Sequence, residues 1–265
     1  MISLFQYSYM IRAMIVGLCL SIIIPSIGIV VVNKRVSMIG DALSHVSLAG
    51  VMLGLILGIN PILGAIGICL FASLGMEFIN KRFPGYEEVS TAIIMSGGIG
   101  VASILSGFVK GSANIESFLF GSIVAITDFE WLMILIVSFL VFLFLSFLYK
   151  DLLYISFDSI SADLSGVKVD QVNRLFMILT AITIAISART VGVLIISSLM
   201  VLPVSCALRF GLGYFQTTLL SVGFGFLFTE LGLVIAFYLG LKPGGTIVLL
   251  GVFTLVILLL FKKNQ

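Results

Sequence analysis

Two side chains with metal-ligand chemistry lie one helical turn apart in an apolar stretch of this 265-residue chain. They are Asp41 and His45, the single histidine of the sequence, within NKRVSMIGDALSHVSLAG (residues 33–50). Residues at i and i+4 share one helix face, so the carboxylate and the imidazole are presented together. Zn²⁺, Mn²⁺ and Fe²⁺ accept such donors. Because two donors cannot hold an ion tightly, a metal site needs more, for instance the same pair from a second, symmetry-related subunit.

Two other interpretations fit the same pair. Asp41 accepting a hydrogen bond from the His45 ring would tie two helices together, which is a purely structural role. Alternatively, the pair would relay protons, as in an ion-coupled secondary transporter that needs no partner. A carboxylate in an apolar run costs several kcal/mol unless it meets water, a counter-charge or a bound cation. The residues alone leave the three interpretations open.

The composition predicts the surroundings of this pair. The chain is 60% hydrophobic and 10% charged, with a mean hydropathy of +1.29, whereas a soluble domain is about 25% charged. These values indicate an integral membrane protein, in which helices or a closed barrel must satisfy the backbone polar groups. The polar–apolar alternation of barrel strands is absent. We therefore expect an all-α, polytopic transmembrane helix bundle, with residues 1–265 as a single transmembrane domain.

Apolar runs of about 20 residues are long enough to cross a bilayer, and nine of them predict spans. Residues 116–127 (ESFLFGSIVAIT) form a shorter run, which predicts a re-entrant helix surrounded by protein. The predicted spans are 11–32, 41–59, 62–79, 89–108, 130–149, 171–188, 190–209, 216–239 and 245–261.

The Lys and Arg residues predict the orientation in the cell membrane. With nine spans, ten of the 14 fall on one side and four on the other. Because cytoplasmic loops carry the excess of positive charge, we expect the N-terminus outside and the C-terminus in the cytoplasm. A full crossing at 116–127 would scramble this split. The larger group is Lys34, Arg35, Lys81, Arg82, Lys150, Lys168, Arg174, Arg209, Lys262 and Lys263; the smaller is Arg12, Lys110, Arg189 and Lys242.

The cytoplasmic connection at 150–174 contains a second candidate functional element. Its middle, DSISADLSG, predicts a short helix with Asp158 or Ser159 as N-cap and Gly166 as the left-handed stop. Such a helix is not needed merely to join two spans, so it is a candidate docking element for a cytoplasmic partner. Glu230 is the other acid deep in an apolar run. It either lines the same pathway or hydrogen-bonds Thr229 or neighbouring backbone.

Several function classes find no support in the sequence. The motifs GxxxxGK[ST], GxSxG and HExxH are missing, and no GxGxxG precedes a helix, so we predict neither an enzyme nor a nucleotide site. The net charge of +2 is too small to indicate nucleic acid. The three cysteines stand alone in apolar segments and are interpreted as small packing residues.

Segments along nearly the whole chain, in the same order, resemble the membrane permeases of the ABC importers for zinc, manganese and iron. RVSMIGDALSHVSLAGVMLG is similar to the family segment "(S/A)LMGDA(I/L)SHAVLPG", which follows the first span. The further matches are YEEVSTAIIMSGGIGVASIL (86–105), FLFGSIVAITDFE (118–130), FDSISADLSGVKVD (157–170), GVLIISSLMVLPVSCALRF (192–210) and KPGGTIVLL (242–250).

The resemblance implies a compact, all-helical permease that works as a pair, here a homodimer. Two cytoplasmic ATP-binding subunits would dock on it and hydrolyse ATP, and an extracellular or periplasmic metal-binding protein would deliver the ion. By the same resemblance Asp41, His45 and Glu230 are pathway ligands for a transported Mn²⁺, Zn²⁺ or Fe²⁺, with no permanently bound cofactor. The resemblance also implies a coupling helix near 157–167 that contacts the ATPase through Asp158, Ser161, Ala162, Asp163 and Gly166.

The chain departs from the family pattern at one visible position. Where relatives often have "HAVLPG", this chain has HVSLAG, with Ala49 in place of the proline. Losing the proline restores a backbone N–H, so the helix is expected to continue straight past His45.

Overall fold

The computed structural model describes residues 7–83, 85–109, 118–119, 121 and 127–261. Eleven α-helices of six or more residues occur in this part of the chain, which contains no strand. They are α1 (Ser8–Asn33), α2 (Ile39–Leu57), α3 (Pro61–Arg82), α4 (Glu87–Ser106), α5 (Asp128–Phe147), α6 (Tyr149–Phe157), α7 (Ser159–Leu164), α8 (Val169–Ser187), α9 (Val193–Leu208), α10 (Tyr214–Leu239) and α11 (Pro243–Phe261).

The predicted all-α membrane bundle is confirmed, with a difference at one span. Eight of the described helices are long and apolar enough to cross a bilayer. The predicted span at 190–209 is instead divided: Ala188–Gly192 is π-helical and α9 has only 16 residues. Gly192, with φ +100°, breaks the helical path before α9, a conformation that glycine adopts without strain. The predicted re-entrant helix at 116–127 falls mostly outside the described residues.

Helices α1 and α2 form the centre of the bundle. Within their apolar windows 67% and 72% of the residues are buried, against 22% in α4 and in α11. The outer helices therefore turn large apolar side chains outward, as a lipid-facing surface requires, while α1 packs against α5, α9 and α10.

Glycines set the close approach of the helices around α1. Gly225 of α10 lies against the ring of Pro25, where a Cβ would stand 2.7 Å from the ring Cγ. Gly28 faces the backbone carbonyl of Met200 on α9, and a Cβ there would clash with that oxygen. Lipid supplies little hydrophobic drive between helices, so such small-residue contacts hold the bundle together.

The connection after α5 is more structured than the sequence predicts. The chain turns at Leu148 and forms α6, an additional helix that packs Tyr149 against Tyr214 and Phe215 at ring-centroid distances of 5.4 and 6.2 Å. The short helix predicted within DSISADLSG is confirmed as α7. Asp158 ends α6 and caps α7, and Gly166 takes the left-handed conformation with φ +89°.

Candidate functional site

Among the described residues, Asp41 and His45 form a partly exposed strip on the otherwise buried N-terminal part of α2. Asp41 lies in the first helical turn and His45 in the next. Every other residue from Ile39 to Met52 is buried, whereas these two side chains are half-exposed. Both residues lie on one face of α2, as predicted, and among the described residues that face is only partly covered.

Three neighbouring helices fix the orientation of this face. Gly40 fits against Ser197 of α9, where a Cβ would stand 3.2 Å from the serine Cβ. Gly50 meets the backbone of Gly64 on α3, with a Cβ 2.6 Å from that carbonyl oxygen. On the α4 side Gly98 packs against the backbone of Val46. Beside these contacts Asp41 and His45 keep part of their surface accessible among the described residues.

The hydroxyl of Ser197 donates a hydrogen bond to Asp41 Oδ1 at 2.6 Å. Both groups are half-buried, and the bond joins residues 156 positions apart in sequence. A hydrogen bond of this kind holds a ligand carboxylate in one orientation and tunes its affinity for a cation. Ser197 is therefore part of the candidate site.

The described residues of one chain do not supply a full set of metal ligands. Within the described ranges, no group of three or more His, Cys, Asp or Glu side chains lies close enough to hold a metal ion. Asp41 and His45 supply one oxygen and one nitrogen donor, with Ser197 beside the carboxylate. This set is short of the four ligands that a closed zinc site uses, so further ligands must come from water or from a second molecule.

Glu230 contacts other helices than Asp41 and His45 do. Its Oε1 approaches Gly17 of α1, 3.2 Å from where a Cβ on that glycine would stand, and α10 packs mainly on α1, α9 and α11 rather than on α2. Both carboxylate oxygens and the Thr229 hydroxyl are inaccessible and have no hydrogen-bond partner among the described residues. The alternative of a hydrogen bond to Thr229 or to neighbouring backbone is therefore wrong for the described residues, which form no such bond.

A small cavity adjoins this region of α1 and α10. Its volume of about 20 Å³ is enough for roughly one water molecule. Gly17, Thr190 and Thr229 are among the residues that line it. Polar groups without partners and a water-sized space thus occur together at this point of the bundle.

The helix α7 is held at both ends and exposed between them. Asp158 Oδ1 accepts from the N–H groups of Ile160 and Ser161 at 3.0 and 3.2 Å, and the Ser161 hydroxyl donates to Asp158 Oδ2 at 2.5 Å. The bonds from Ser161, and to a lesser extent the Ile160 N–H, lower the pKa of Asp158, so the cap stays ionised. Ala162 is buried, while Ser161 and Asp163 are exposed. A folded, capped helix therefore presents a polar surface to the surroundings.

The family of the chain follows from its sequence profile. The ABC 3 transport family matches residues 6–262, nearly the whole chain. The chain belongs to the ABC 3 transport family. This confirms the resemblance to ABC metal permeases that the GDALSH segment and the later blocks indicate.

Individual relatives are similar to this ABC 3 family member over nearly its whole length. A "Probable metal transport system membrane protein" of Treponema pallidum (strain Nichols) is 34% identical over 257 residues, 96% of each chain. The "Manganese import system permease protein ScaB" of Streptococcus parasanguinis is 31% identical over 244 residues, 92% of this chain and 87% of the relative. The structure described as "PsaBC from Streptococcus pneumoniae in complex with Fab" superposes with a TM-score of 0.87 at 27% identity, covering 99% of this chain and 95% of that one.

Two features of this ABC 3 family chain bear on expectations from the sequence. With Ala49 at the position of the family proline, α2 continues without a break to Leu57, as expected. Ser197 carries no local signal of its role, because its partner is distant in sequence. The only hint is that the block GVLIISSLMVLPVSCALRF, which contains Ser197, belongs to the segments that resemble the family.

Proposed function

We propose that this chain is the transmembrane permease subunit of an ATP-driven importer of a divalent transition metal ion, manganese, zinc or iron. The observation that carries the proposal is the half-exposed Asp41–His45 pair on an otherwise buried stretch of α2. A carboxylate in an apolar bundle is costly unless it meets water, a counter-charge or a bound cation, and the oxygen and nitrogen donors of this pair suit all three metals. Membership of the ABC 3 transport family supports the same conclusion.

A second copy of the chain would complete the ion path. Asp41 and His45 are the partly exposed residues of this stretch of α2, and the Ser197 hydroxyl binds Asp41. A two-fold axis beside this face would bring two carboxylates and two imidazoles together, because a homodimer uses the same patch on both subunits. Four protein donors then match the coordination number of common transition-metal sites. The ion would pass between two identical permeases.

The helix α7 would be the contact with a separate cytoplasmic ATPase. Ser161 and Asp163 are exposed on it, and Ile160 and Leu164 expose 73% and 84% of their surface. Exposed apolar side chains on a polar cytoplasmic helix favour a protein partner. Asp158 and Gly166 hold the two helix ends, and buried Ala162 anchors the helix on its own chain. ATP would be hydrolysed in the partner, and this chain would not be an enzyme.

The outer side of the permease would receive the ion. The excess of Lys and Arg on one side supports a cytoplasmic C-terminus and an outside N-terminus in the cell membrane. An extracellular or periplasmic metal-binding protein would then deliver the ion to the opposite face. Glu230, in the outer half of α10 by this orientation, would line the entrance of the path before Asp41 and His45.

Reconstitution into liposomes tests the proposal. The chain and its cytoplasmic ATPase are purified together, and uptake of Mn²⁺, Zn²⁺ and Fe²⁺ is measured one ion at a time with and without ATP. We expect uptake of at least one ion only with ATP, and loss of that uptake in Asp41→Ala and His45→Ala. The chain alone under a proton gradient should transport nothing.

Two results would contradict the proposal in different ways. Transport by the chain alone under a proton gradient would favour a secondary transporter in which Asp41 and His45 relay protons. Normal ATP-driven uptake in folded Asp41→Ala and His45→Ala variants would remove these two residues from the ion path.

A further inference from the structure

The helix α7 and the start of α8 form one hydrogen-bonded unit. Only residues 165–168 separate the two helices. The N–H of Gly166 donates to the carbonyl of Asp163 at 2.9 Å, and the N–H of Val167 donates to that of Ala162 at 3.1 Å. The N–H of Val169, the first residue of α8, donates to the carbonyl of Val167 at 2.8 Å, so a displacement of α7 is expected to move the first turn of α8 with it.

The first turns of α8 bind the ends of two other helices. Asn173 Oδ1 accepts from Lys34 Nζ, directly after α1, at 2.5 Å. Arg174 Nε donates to both carboxylate oxygens of Glu77 on α3 at 3.1 Å. Lys81 Nζ, also on α3, lies 3.2 Å from Asp170 Oδ2 of α8. The unit that begins with α7 thus ends in polar contacts to α1 and α3.

The contact of Lys34 differs from the contacts on α3. The Arg174 and Lys81 side chains are about half exposed, and such surface pairs contribute about 0–1 kcal/mol. Lys34 is more enclosed: its ammonium lies 5.6 Å from the ring centroid of Phe176. Burial lowers its pKa to about 8, against the opposing effect of Glu87. Separating Lys34 from Asn173 would leave an enclosed ammonium without its acceptor, which costs free energy because water does not replace the lost bond. The Lys34–Asn173 contact is therefore expected to resist separation.

Lys34 is also the residue that starts the turn into α2. Arg35, next in the chain, has a φ of +60°, a left-handed conformation that a residue other than glycine keeps only when its surroundings hold it. The turn is closed by the N–H of Val36 donating to the carbonyl of Val31 at 3.0 Å. Asp41 follows in the first turn of α2. Movement at Lys34 is therefore delivered over a short, constrained turn to the helix of the candidate ion site.

We propose that Lys34, through its bond to Asn173, is the positioning residue that transmits movement of α7 to the helix bearing Asp41 and His45. The inference rests on the proposed function, since it takes α7 as the ATPase contact and Asp41–His45 as the ion site. It adds the route by which the two communicate inside one chain.

The ratio of ions imported to ATP hydrolysed tests this role. It is measured in proteoliposomes of the chain with its ATPase, using Mn²⁺ or Zn²⁺, whichever the unmodified complex carries. We expect Lys34→Met, which keeps the apolar stem, to lower the ratio by about fivefold or more, the lower end of typical coupling between sites. ATP hydrolysis and ion binding by the purified chain should stay unchanged. Lys34→Arg should restore the ratio, and Lys81→Met, at an exposed pair, should match the unmodified complex.

Asn173→Leu tests the same bond from its acceptor side, because it removes the oxygen that Lys34 binds. Because residues that act as a unit are non-additive, the double variant with Lys34→Met should be no worse than either single variant. An unchanged ratio in Asn173→Leu and in folded Lys34→Met overturns the proposal. Loss of ion binding in Lys34→Met also overturns it, since the residue would then shape the ion site itself.

A distance measurement on the chain alone separates this inference from the proposed function. Spin labels are placed at the exposed positions Met38 and Lys168 after the three cysteines are replaced by alanine. A narrow distance distribution is expected with Lys34 and a broadened one with Lys34→Met; equal distributions refute the link. If the unmodified complex takes up no metal with ATP, the proposed function fails, and this measurement still decides whether Lys34 ties α8 to the turn.

Discussion

Replacing Ser197 with alanine removes the hydroxyl that donates to Asp41 Oδ1 at 2.6 Å and leaves the backbone of α9 intact. Hydrogen bonds to charged groups contribute about 1.5–3 kcal/mol, which at about 1.4 kcal/mol per decade is roughly a 10- to 100-fold change in affinity. Groups that orient metal ligands give the same range, about 10- to 100-fold. Because both side chains are half-exposed, we expect the lower end, an affinity for Mn²⁺ or Zn²⁺ about tenfold weaker.

Binding to the purified chain and ATP-driven uptake provide the assay. Ser197→Ala should raise the Kd and the KM for the ion together and leave the maximal rate near that of the unmodified complex, because an interaction present before translocation is lost. Ser197→Thr keeps a hydroxyl and should recover most of the affinity. Ser205→Ala, two turns further along the same helix, serves as the matched control and should bind normally.

Ser197 does not orient Asp41 for the ion if Ser197→Ala binds the ion within about twofold of the unmodified chain, the range of a neutral surface change, while Asp41→Ala abolishes binding. Asp41 would then be oriented by the bound ion alone. A fall in maximal rate with unchanged affinity would also refute this role, since Ser197 would then act on translocation rather than on the carboxylate.

Three further predictions follow from single contacts. Gly50→Ala forces a Cβ to 2.6 Å from the carbonyl of Gly64 and should lower the thermal stability by the equivalent of about 1–3 kcal/mol; Gly67→Ala, with open space around it, should be neutral or stabilising, and equal melting of both variants would contradict the contact. Asp158→Ala removes the N-cap of α7, worth about 1 kcal/mol, and should uncouple ATP hydrolysis from uptake with ion binding unchanged; Asp158→Asn should restore coupling, and full coupling in Asp158→Ala would argue against α7 as the ATPase contact. Glu230→Gln keeps the shape of the side chain and removes its charge, so uptake should fall severalfold with normal binding at Asp41; normal uptake would exclude Glu230 from the ion path.

Much of the architecture was predictable because its signals are local. Long apolar runs predict membrane helices wherever the solvent is lipid, and the spacing of Asp41 and His45 alone places them on one face. The capped helix α7 was also predictable, because its two end signals are local. Asp158 accepts hydrogen bonds from the first backbone N–H groups, and Gly166 takes the left-handed conformation that ends the helix. The break at Gly192 was not predicted, because an apolar run of suitable length gives no sign of a π-helical segment.

The bundle of membrane helices and its acid–histidine pair are encoded locally, because hydropathy and helical periodicity depend only on neighbouring residues. The partial exposure of that pair among the described residues, and the contacts of Ser197 with Asp41, Glu230 with Gly17 and Lys34 with Asn173, arise from the packing of the helices. These contacts join residues far apart in the chain. Their existence depends on how closely glycine-lined helices approach, and no local pattern of residue types encodes that distance.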